Sequence, residues 1–169
     1  MPVILGIDPG SNITGFGIIN AASNKYNYIT SGSIRTTKNN LSKQLREIFE
    51  GISELVDRYK PEEVAIEQIF MHANVNSALK LGQARGVAIV AVAEENIKIA
   101  EYSARQVKQA VVGYGNAEKV QVQHMVKLLL KLENKLQADE ADALAIAICH
   151  ANSRLSLLSS LEKKSKKIM

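Results

Sequence analysis

Two acidic residues follow short apolar segments of the kind that form buried strands. Asp8 comes directly after residues 3–7, and Glu67 comes directly after residues 64–66. A carboxylate at the end of a buried strand is costly unless it is paired, hydrogen-bonded or bound to a metal. Because ligands of open α/β sheets bind at the edge where the strands end, the two acids predict a shared site there. Taken singly, Asp8 also fits an Asp-Pro-Gly turn, and Glu67 also fits a buried pair with a base.

A second acidic pair lies at the start of a predicted helix. Asp139 and Asp142 are three residues apart, which places both on one helix face, whereas Glu140 points elsewhere. The neighbouring residues are mostly apolar, so we expect this face to look inward. The alternative is that both acids only complement the helix dipole, as acids of a first turn often do.

Taken together, the four carboxylates predict a metal-dependent hydrolase. Several acids without paired bases would repel one another unless divalent cations neutralised them. All-oxygen sites suit Mg²⁺ or Mn²⁺, and two such ions can activate water and stabilise a leaving oxygen. The sequence offers no competing nucleophile, since Cys149 lies late in a predicted helix and fits a small buried residue.

The elements that must position these acids form an α/β pattern. Strand-like segments come first, and the turns between the first three predict an antiparallel meander. Strands and helices then alternate, which predicts parallel later strands and a mixed sheet flanked by helices. Asn40 is a predicted N-cap, and His150 is a predicted cap at a helix end. The predicted strands are residues 3–7, 14–19, 26–34, 64–67 and 97–102, and the predicted helices are residues 41–56, 76–95, 104–112, 118–132 and 138–150.

Length and composition indicate one domain. A chain of 169 residues with 46% hydrophobic residues can bury a sizeable core, and no segment resembles a membrane span or a signal peptide. We expect one folded domain over residues 1–153 and a basic, frayed tail over residues 154–169. The single cysteine fits a reducing compartment, so a cytoplasmic location is expected.

The net charge of +4 is unevenly distributed. The tail carries five basic residues and one acidic residue, so the rest of the chain is neutral overall. Within that neutral part, residues 98–131 hold six basic residues against two acidic ones. An acidic site beside a basic segment is typical of a metal-dependent enzyme that cuts a phosphodiester backbone.

Several motifs in order resemble one known family. The opening resembles the ribonuclease-H-like nuclease fold, and the later motifs are similar to RuvC, the family of bacterial Holliday junction resolvases. The resemblance covers about residues 4–150. The motifs that carry it are Ile4-Leu5-Gly6-Ile7-Asp8-Pro9-Gly10, Thr14-Gly15-Phe16-Gly17, Ala65-Ile66-Glu67-Gln68-Ile69-Phe70, residues 77–86 (SALKLGQARG) and residues 139–147 (DEADALAIA).

The resemblance implies a Mg²⁺-dependent endonuclease that acts as a homodimer on four-way DNA junctions in recombination and repair. It implies Asp8, Glu67, Asp139 and Asp142 as catalytic and metal-binding residues, with two Mg²⁺ per site and Mn²⁺ as a possible substitute. It also implies the branch-migration proteins RuvA and RuvB as partners, and it implies no membrane.

Three further residues gain a DNA-binding role from the same resemblance. Lys108 and Lys119 match family lysines that serve DNA binding and catalysis, and Phe70 matches a residue that stacks on an unpaired base. Taken alone, each lysine fits a solvated helix face, and Phe70 fits a core aromatic. Small residues such as Gly82 and Gly86 make the helix at 76–95 a candidate dimer contact, or else a surface for close packing on the sheet.

Three alternatives stay open from the residues alone. Another nuclease of the same fold would share the acids but would lack the Phe70 loop and the Lys108 and Lys119 segments. A non-catalytic junction-binding module would keep the basic residues and lose the acids. An ATP-binding protein of the related actin-like fold would need further phosphate loops, and no second loop of that kind is evident.

Overall fold

The computed structural model describes residues 1–22, 25–69, 74–93 and 97–165, with side chains as far as Ser156. Strands and helices alternate in the predicted order. The elements are β1 (Val3–Asp8), β2 (Ile13–Ala22), β3 (Lys25–Arg35), α1 (Leu41–Tyr59), β4 (Glu63–Glu67), α2 (Val75–Ala93), β5 (Lys98–Tyr102), α3 (Ala104–Val112), α4 (Lys119–Leu130) and α5 (Ala138–Ser165).

The five strands form one mixed sheet in the order β3-β2-β1-β4-β5. β1, β2 and β3 pair antiparallel, whereas β4 and β5 run parallel to β1, which confirms the predicted topology. Ile7 pairs with Ile66 across β1 and β4, so the next residues, Asp8 and Glu67, emerge side by side. The sheet therefore brings the two strand-end acids to the same edge.

Alternating strand residues feed two separate cores. On one face, Leu5, Ile7 and Ile18 pack with α1 and α2. On the other face, Ile4 and Ile19 pack with α3, α4 and α5. These five side chains are fully buried, and each contributes about 1.5–3 kcal/mol relative to exposure. The two helical layers hold the strand ends of β1 and β4 between them.

α1 begins where the sequence predicts. The side chain of Asn40 accepts a hydrogen bond from the backbone N–H of Lys43 at 3.1 Å, which confirms the N-cap. The helix ends at Tyr59, and Lys60 follows in the left-handed region with φ of 45°. Pro61 comes next and cannot continue the helix.

The last helix continues past its predicted end. α5 runs to Ser165, so the prediction that His150 caps a helix end is wrong. His150 instead lies against the sheet, where its Nε2 is 2.7 Å from Glu63 Oε2 and its Nδ1 is hydrogen-bonded to the Tyr102 hydroxyl at 2.8 Å. Arg154 Nε donates to the other Glu63 oxygen at 2.8 Å. The first residue assigned to the tail thus contacts the sheet, and the boundary at residue 154 stays a prediction.

Within the described ranges, no helix is both long enough and apolar enough to span a membrane.

Candidate active site

A cavity of about 340 Å³ opens at the carboxyl edge of β1 and β4. Three of the predicted acids line it, and so do both predicted lysines: these are Asp8, Glu67, Asp142, Lys108 and Lys119. Its floor is apolar and comes from α3, α4 and α5. The structure thus joins residues that are as far as 134 positions apart in the chain.

Glycines in β1 and β2 let α5 approach the sheet closely enough to reach this edge. A Cβ on Gly6 would lie 2.1 Å from the backbone oxygen of Ala143, and a Cβ on Gly15 would lie 2.2 Å from that of Asp139. Any larger residue at either position would push the helix away. The two glycines therefore determine how close Asp139 and Asp142 of α5 come to the ends of β1 and β4.

Asp8 occupies the most demanding electrostatic position. Burial raises the pKa of Asp8 to about 8, and the carboxylates of Glu67 and Asp142 act in the same direction. A hydrogen bond with the Glu67 carboxyl also raises it, whereas Lys119 lowers it. In the absence of a cation, the proton retained by Asp8 relieves part of the repulsion among the acids.

Lys119, like the proton on Asp8, reduces the repulsion among the acids. Its Nζ is 2.7 Å from Asp142 Oδ2, and this hydrogen bond is the largest cause of the raised pKa of Lys119. Asp8 and Asp139 raise the same pKa, so Lys119 lies near both. The start of α4 is fixed locally, because the Glu118 backbone N–H donates to Gln121 Oε1 at 2.8 Å. Asp139 interacts electrostatically with Lys119 but does not line the cavity.

Lys108 reaches the cavity from α3. That helix begins at a capping box in which Ser103 accepts from the Gln106 backbone N–H at 3.2 Å and the Gln106 side chain accepts from the Ser103 N–H at 2.8 Å. Lys108 lies just over one turn beyond the first helical residue, on the same side as buried Val107 and Val111. It is half-buried and lines the cavity beside Asp8, Glu67 and Asp142.

The sequence reasoning missed Arg85, which holds Glu67 from behind. Its Nε donates to the backbone oxygen of Glu67 at 3.1 Å, and its Nη2 is 2.6 Å from Glu101 Oε2. Only 19% of the Arg85 side chain is exposed. A signal was present, because Arg85 is the one charged residue in the stretch from Gly82 to Ala93. A charge that is largely removed from solvent in this way needs partners.

Phe70, the predicted stacking residue, lies outside the described residues. The prediction for it stays untested by the structure.

The donor set fits hard divalent cations, although the acids are not yet gathered around one point. In the described ranges, no group of three or more His, Cys, Asp or Glu side chains is close enough to hold a metal as it stands. Asp142 is instead engaged by Lys119, and Asp8 shares a hydrogen bond with Glu67. Each of these interactions involves a carboxylate oxygen that Mg²⁺ or Mn²⁺ would take as a ligand.

Comparison with known sequences gives one family. The family model described as crossover junction endodeoxyribonuclease RuvC matches residues 4–150. A protein of that name from Legionella pneumophila (strain Lens) is 61% identical over 158 residues, which is 93% of this chain and 91% of the relative. The one from Pseudoalteromonas atlantica is 56% identical, covering 94% of this chain and 91% of the relative.

Comparison with solved structures agrees. A Thermus thermophilus RuvC structure superposes with a TM-score of 0.83 at 32% identity, covering 91% of this chain and 96% of that one. T. thermophilus RuvC in complex with a Holliday junction substrate superposes with a TM-score of 0.86 at 32% identity, covering 91% and 95%. A yeast mitochondrial Holliday junction resolvase, only 12% identical, shares the fold with a TM-score of 0.72.

Proposed function

The chain belongs to the RuvC family of crossover junction endodeoxyribonucleases, and from this premise we propose that Asp8, Glu67, Asp139 and Asp142 would hold two Mg²⁺ ions for the cleavage of DNA at four-way junctions. The protein is a nuclease that resolves Holliday junctions, a step of recombination and repair. Membership of this family decides against the non-catalytic and ATP-binding alternatives.

One observation carries the assignment of the acids. Asp8 is partly buried beside two other carboxylates, and desolvation raises its pKa to about 8. A fold gains no stability from such an arrangement, so the arrangement points to a function that needs several oxygen ligands. Bound divalent cations would supply the chemistry, which is activation of a water molecule and stabilisation of the leaving oxygen.

The chain's own residues divide the remaining work. Asp8 lies between Glu67 on β4 and Asp142 on α5, so it is best placed to contribute to both metal positions. Lys119 neutralises Asp142 in the free enzyme and can turn to a phosphate when cations replace it. Lys108 on the same cavity wall would fix a neighbouring phosphate without reading sequence. By the family resemblance, Phe70 would stack on an unpaired base.

We also propose that the working enzyme is a homodimer built on α2. Val75, Leu79 and Val90 are 67%, 61% and 53% exposed, and they lie on one side of the helix with Gly82 and Gly86. A Cβ on either glycine would meet nothing within 4 Å, so packing on the sheet does not explain them. An exposed apolar stripe with glycines at its centre fits close contact with a second copy. Two sites related by a two-fold axis would cut two strands symmetrically.

The remaining family features are proposals of the same kind. RuvA and RuvB, the branch-migration proteins, would deliver the junction. Mg²⁺ would be the working cation, with Mn²⁺ as a substitute, and the cytoplasm would be the place of action.

A labelled four-way junction and a linear duplex of the same arm sequence test the function. With Mg²⁺, the junction should be cut at symmetric positions while the duplex stays intact, and a chelator should stop cleavage. The matched pair is Asp8→Asn and Asp57→Asn, the second on the exposed surface of α1. Asp8→Asn should bind the junction without cutting it, and Asp57→Asn should behave as wild type. Cleavage by Asp8→Asn would contradict the metal assignment.

A further inference from the structure

A second, larger groove lies beside the active site on the opposite face of the sheet from Lys108 and Lys119. Its volume is about 810 Å³, and its walls come from the β1–β2 turn, the start of α1 and the first half of α2. α1 and α2 pack on one face of the sheet, whereas α3 and α4 pack on the other. The carboxylates at the strand ends therefore lie between the groove and the two active-site lysines.

The lining of the groove suits a polyanion. Ten of its twelve residues are polar: six carry side-chain amides, two carry hydroxyls, and Lys38 and Lys80 carry ammonium groups. None of the lining residues is a carboxylate. Both lysines are exposed, and neither forms an ion pair with any carboxylate in the part of the chain described. A phosphate approaching this surface would meet donors and positive charge without repulsion.

Hydrogen bonds hold the groove wall to the β1–β2 turn, which follows Asp8 in the chain. Thr36 Oγ1 donates to the backbone oxygen of Ser11 at 2.9 Å, and the Thr36 N–H donates to that of Asn12 at 3.0 Å. Gln44 Nε2 donates to Asn12 Oδ1 at 3.3 Å. Ser11 and Asn12 follow Asp8 within the same turn, so the groove wall has a set position relative to the acids. Because this wall is already held in place, binding a DNA strand there does not carry the free-energy cost of ordering it first.

We propose that this groove binds the sugar–phosphate backbone of the junction, so that one arm is held on both sides of the cut. The proposal rests on the proposed function, because it names where the substrate of the same site continues. Lys38 and Lys80 would contact phosphates, and the amides between them would donate to phosphate and sugar oxygens. Leu79 belongs both to the groove and to the exposed stripe of α2, so the groove borders the proposed dimer contact.

The double variant Lys38→Gln/Lys80→Gln tests the groove. Its binding to a fluorescent four-way junction is measured in chelator over a range of salt concentrations. The slope of log affinity against log salt is negative, and its magnitude falls by about 0.9 for each phosphate contact that is lost. Loss of two contacts should therefore make the slope shallower by about 2. The affinity at low salt should fall about tenfold or more.

Lys25→Gln/Lys60→Gln is the matched control. It removes the same charge from two exposed lysines at the opposite edge of the sheet, at the start of β3 and the end of α1. The control should keep the wild-type slope. A wild-type slope in the groove variant would overturn the proposal, and so would an equal loss in both variants, since that would reflect net charge alone.

Cleavage by the wild-type enzyme with Mg²⁺, run beside the binding series, separates the two claims. Junction cleavage with an unchanged slope in the groove variant would refute the groove and leave the function standing. A shallower slope without any cleavage by wild type would refute the proposed function and leave the DNA-binding groove standing. Absence of junction binding by wild type would refute both.

Discussion

Replacing Asp8 by asparagine should abolish cleavage and also stabilise the metal-free protein. The carboxyl is partly buried beside Glu67 and Asp142, and its pKa is about 8 rather than the ordinary value of about 3.9. Between these two pH values the folded state keeps a proton that the unfolded state releases. The free energy of unfolding therefore falls as the pH rises through this window, and the loss is complete above about pH 8.

The size of the effect follows from the shift. One pKa unit corresponds to about 1.4 kcal/mol, so the shift from about 3.9 to about 8 sets an upper limit of roughly 5–6 kcal/mol on the stability that Asp8→Asn can gain over wild type. Part of this is offset because the replacing amide is itself desolvated, which leaves an expected gain of about 2–4 kcal/mol at pH 8. Near pH 4 the gain should vanish, because the wild-type carboxyl is then protonated in the folded state at little cost.

Urea unfolding at pH 4, 6 and 8 in chelator, at one protein concentration, measures the gain. Asp57→Asn serves as the control, since its side chain is 73% exposed and should show no comparable pH-dependent gain. Replacing the chelator by Mg²⁺ should reduce the difference in free energy of unfolding between Asp8→Asn and wild type, because cations that bind only the folded wild type stabilise it by mass action. An Asp8→Asn variant that is no more stable than wild type at pH 8 would contradict the raised pKa of Asp8, and so would a stability difference that does not grow with pH.

Three further substitutions test other parts of the structure. Gly82→Glu/Gly86→Glu should convert the dimer to a monomer in analytical ultracentrifugation, whereas Arg46→Glu, with the same change in charge on α1, should stay dimeric; a dimeric glycine variant would exclude α2 from the interface. Arg85→Lys keeps the charge but loses the hydrogen bond to the Glu67 backbone carbonyl. It should therefore lower kcat about tenfold at unchanged junction affinity and raise the Mg²⁺ concentration needed for half-maximal cleavage. Wild-type dependence of cleavage on Mg²⁺ would show that Arg85 only supports the fold. Phe70→Ala should weaken junction processing by about 1–3 kcal/mol, measured as the cleavage rate with all four acids intact, and an unchanged rate would remove the stacking role.

Those parts of the site that depend on strand order could be predicted from the sequence. Asp8 and Glu67 each end an apolar strand, and parallel pairing of β1 and β4 brings such ends together. Asp139 and Asp142 share a helix face because of their spacing alone. Each of these predictions needs only local periodicity and one rule of sheet topology.

Contacts between distant elements could not be predicted in this way. Arg85 reaches Glu67 only because α2 packs behind β4, and no local pattern gives that orientation. His150 looked like a helix end, yet the following residues contain no Gly or Pro, and its bonds to Glu63 and Tyr102 come from the packing of α5 on the sheet. The role of Gly15 in seating α5 likewise depends on tertiary contact.

The claim that the four acids form a two-cation site is tested most directly by anomalous scattering from Mn²⁺ in crystals of the enzyme with a four-way junction. Two Mn²⁺ peaks are expected in each active site, both within ligand distance of Asp8 and flanked by Glu67 and the Asp139–Asp142 pair. Lys119 Nζ is also expected to leave Asp142 Oδ2, from which it lies 2.7 Å in the structure described above. No peak at Asp8, or Mn²⁺ bound only to DNA phosphates with the Lys119–Asp142 pair intact, would contradict this claim.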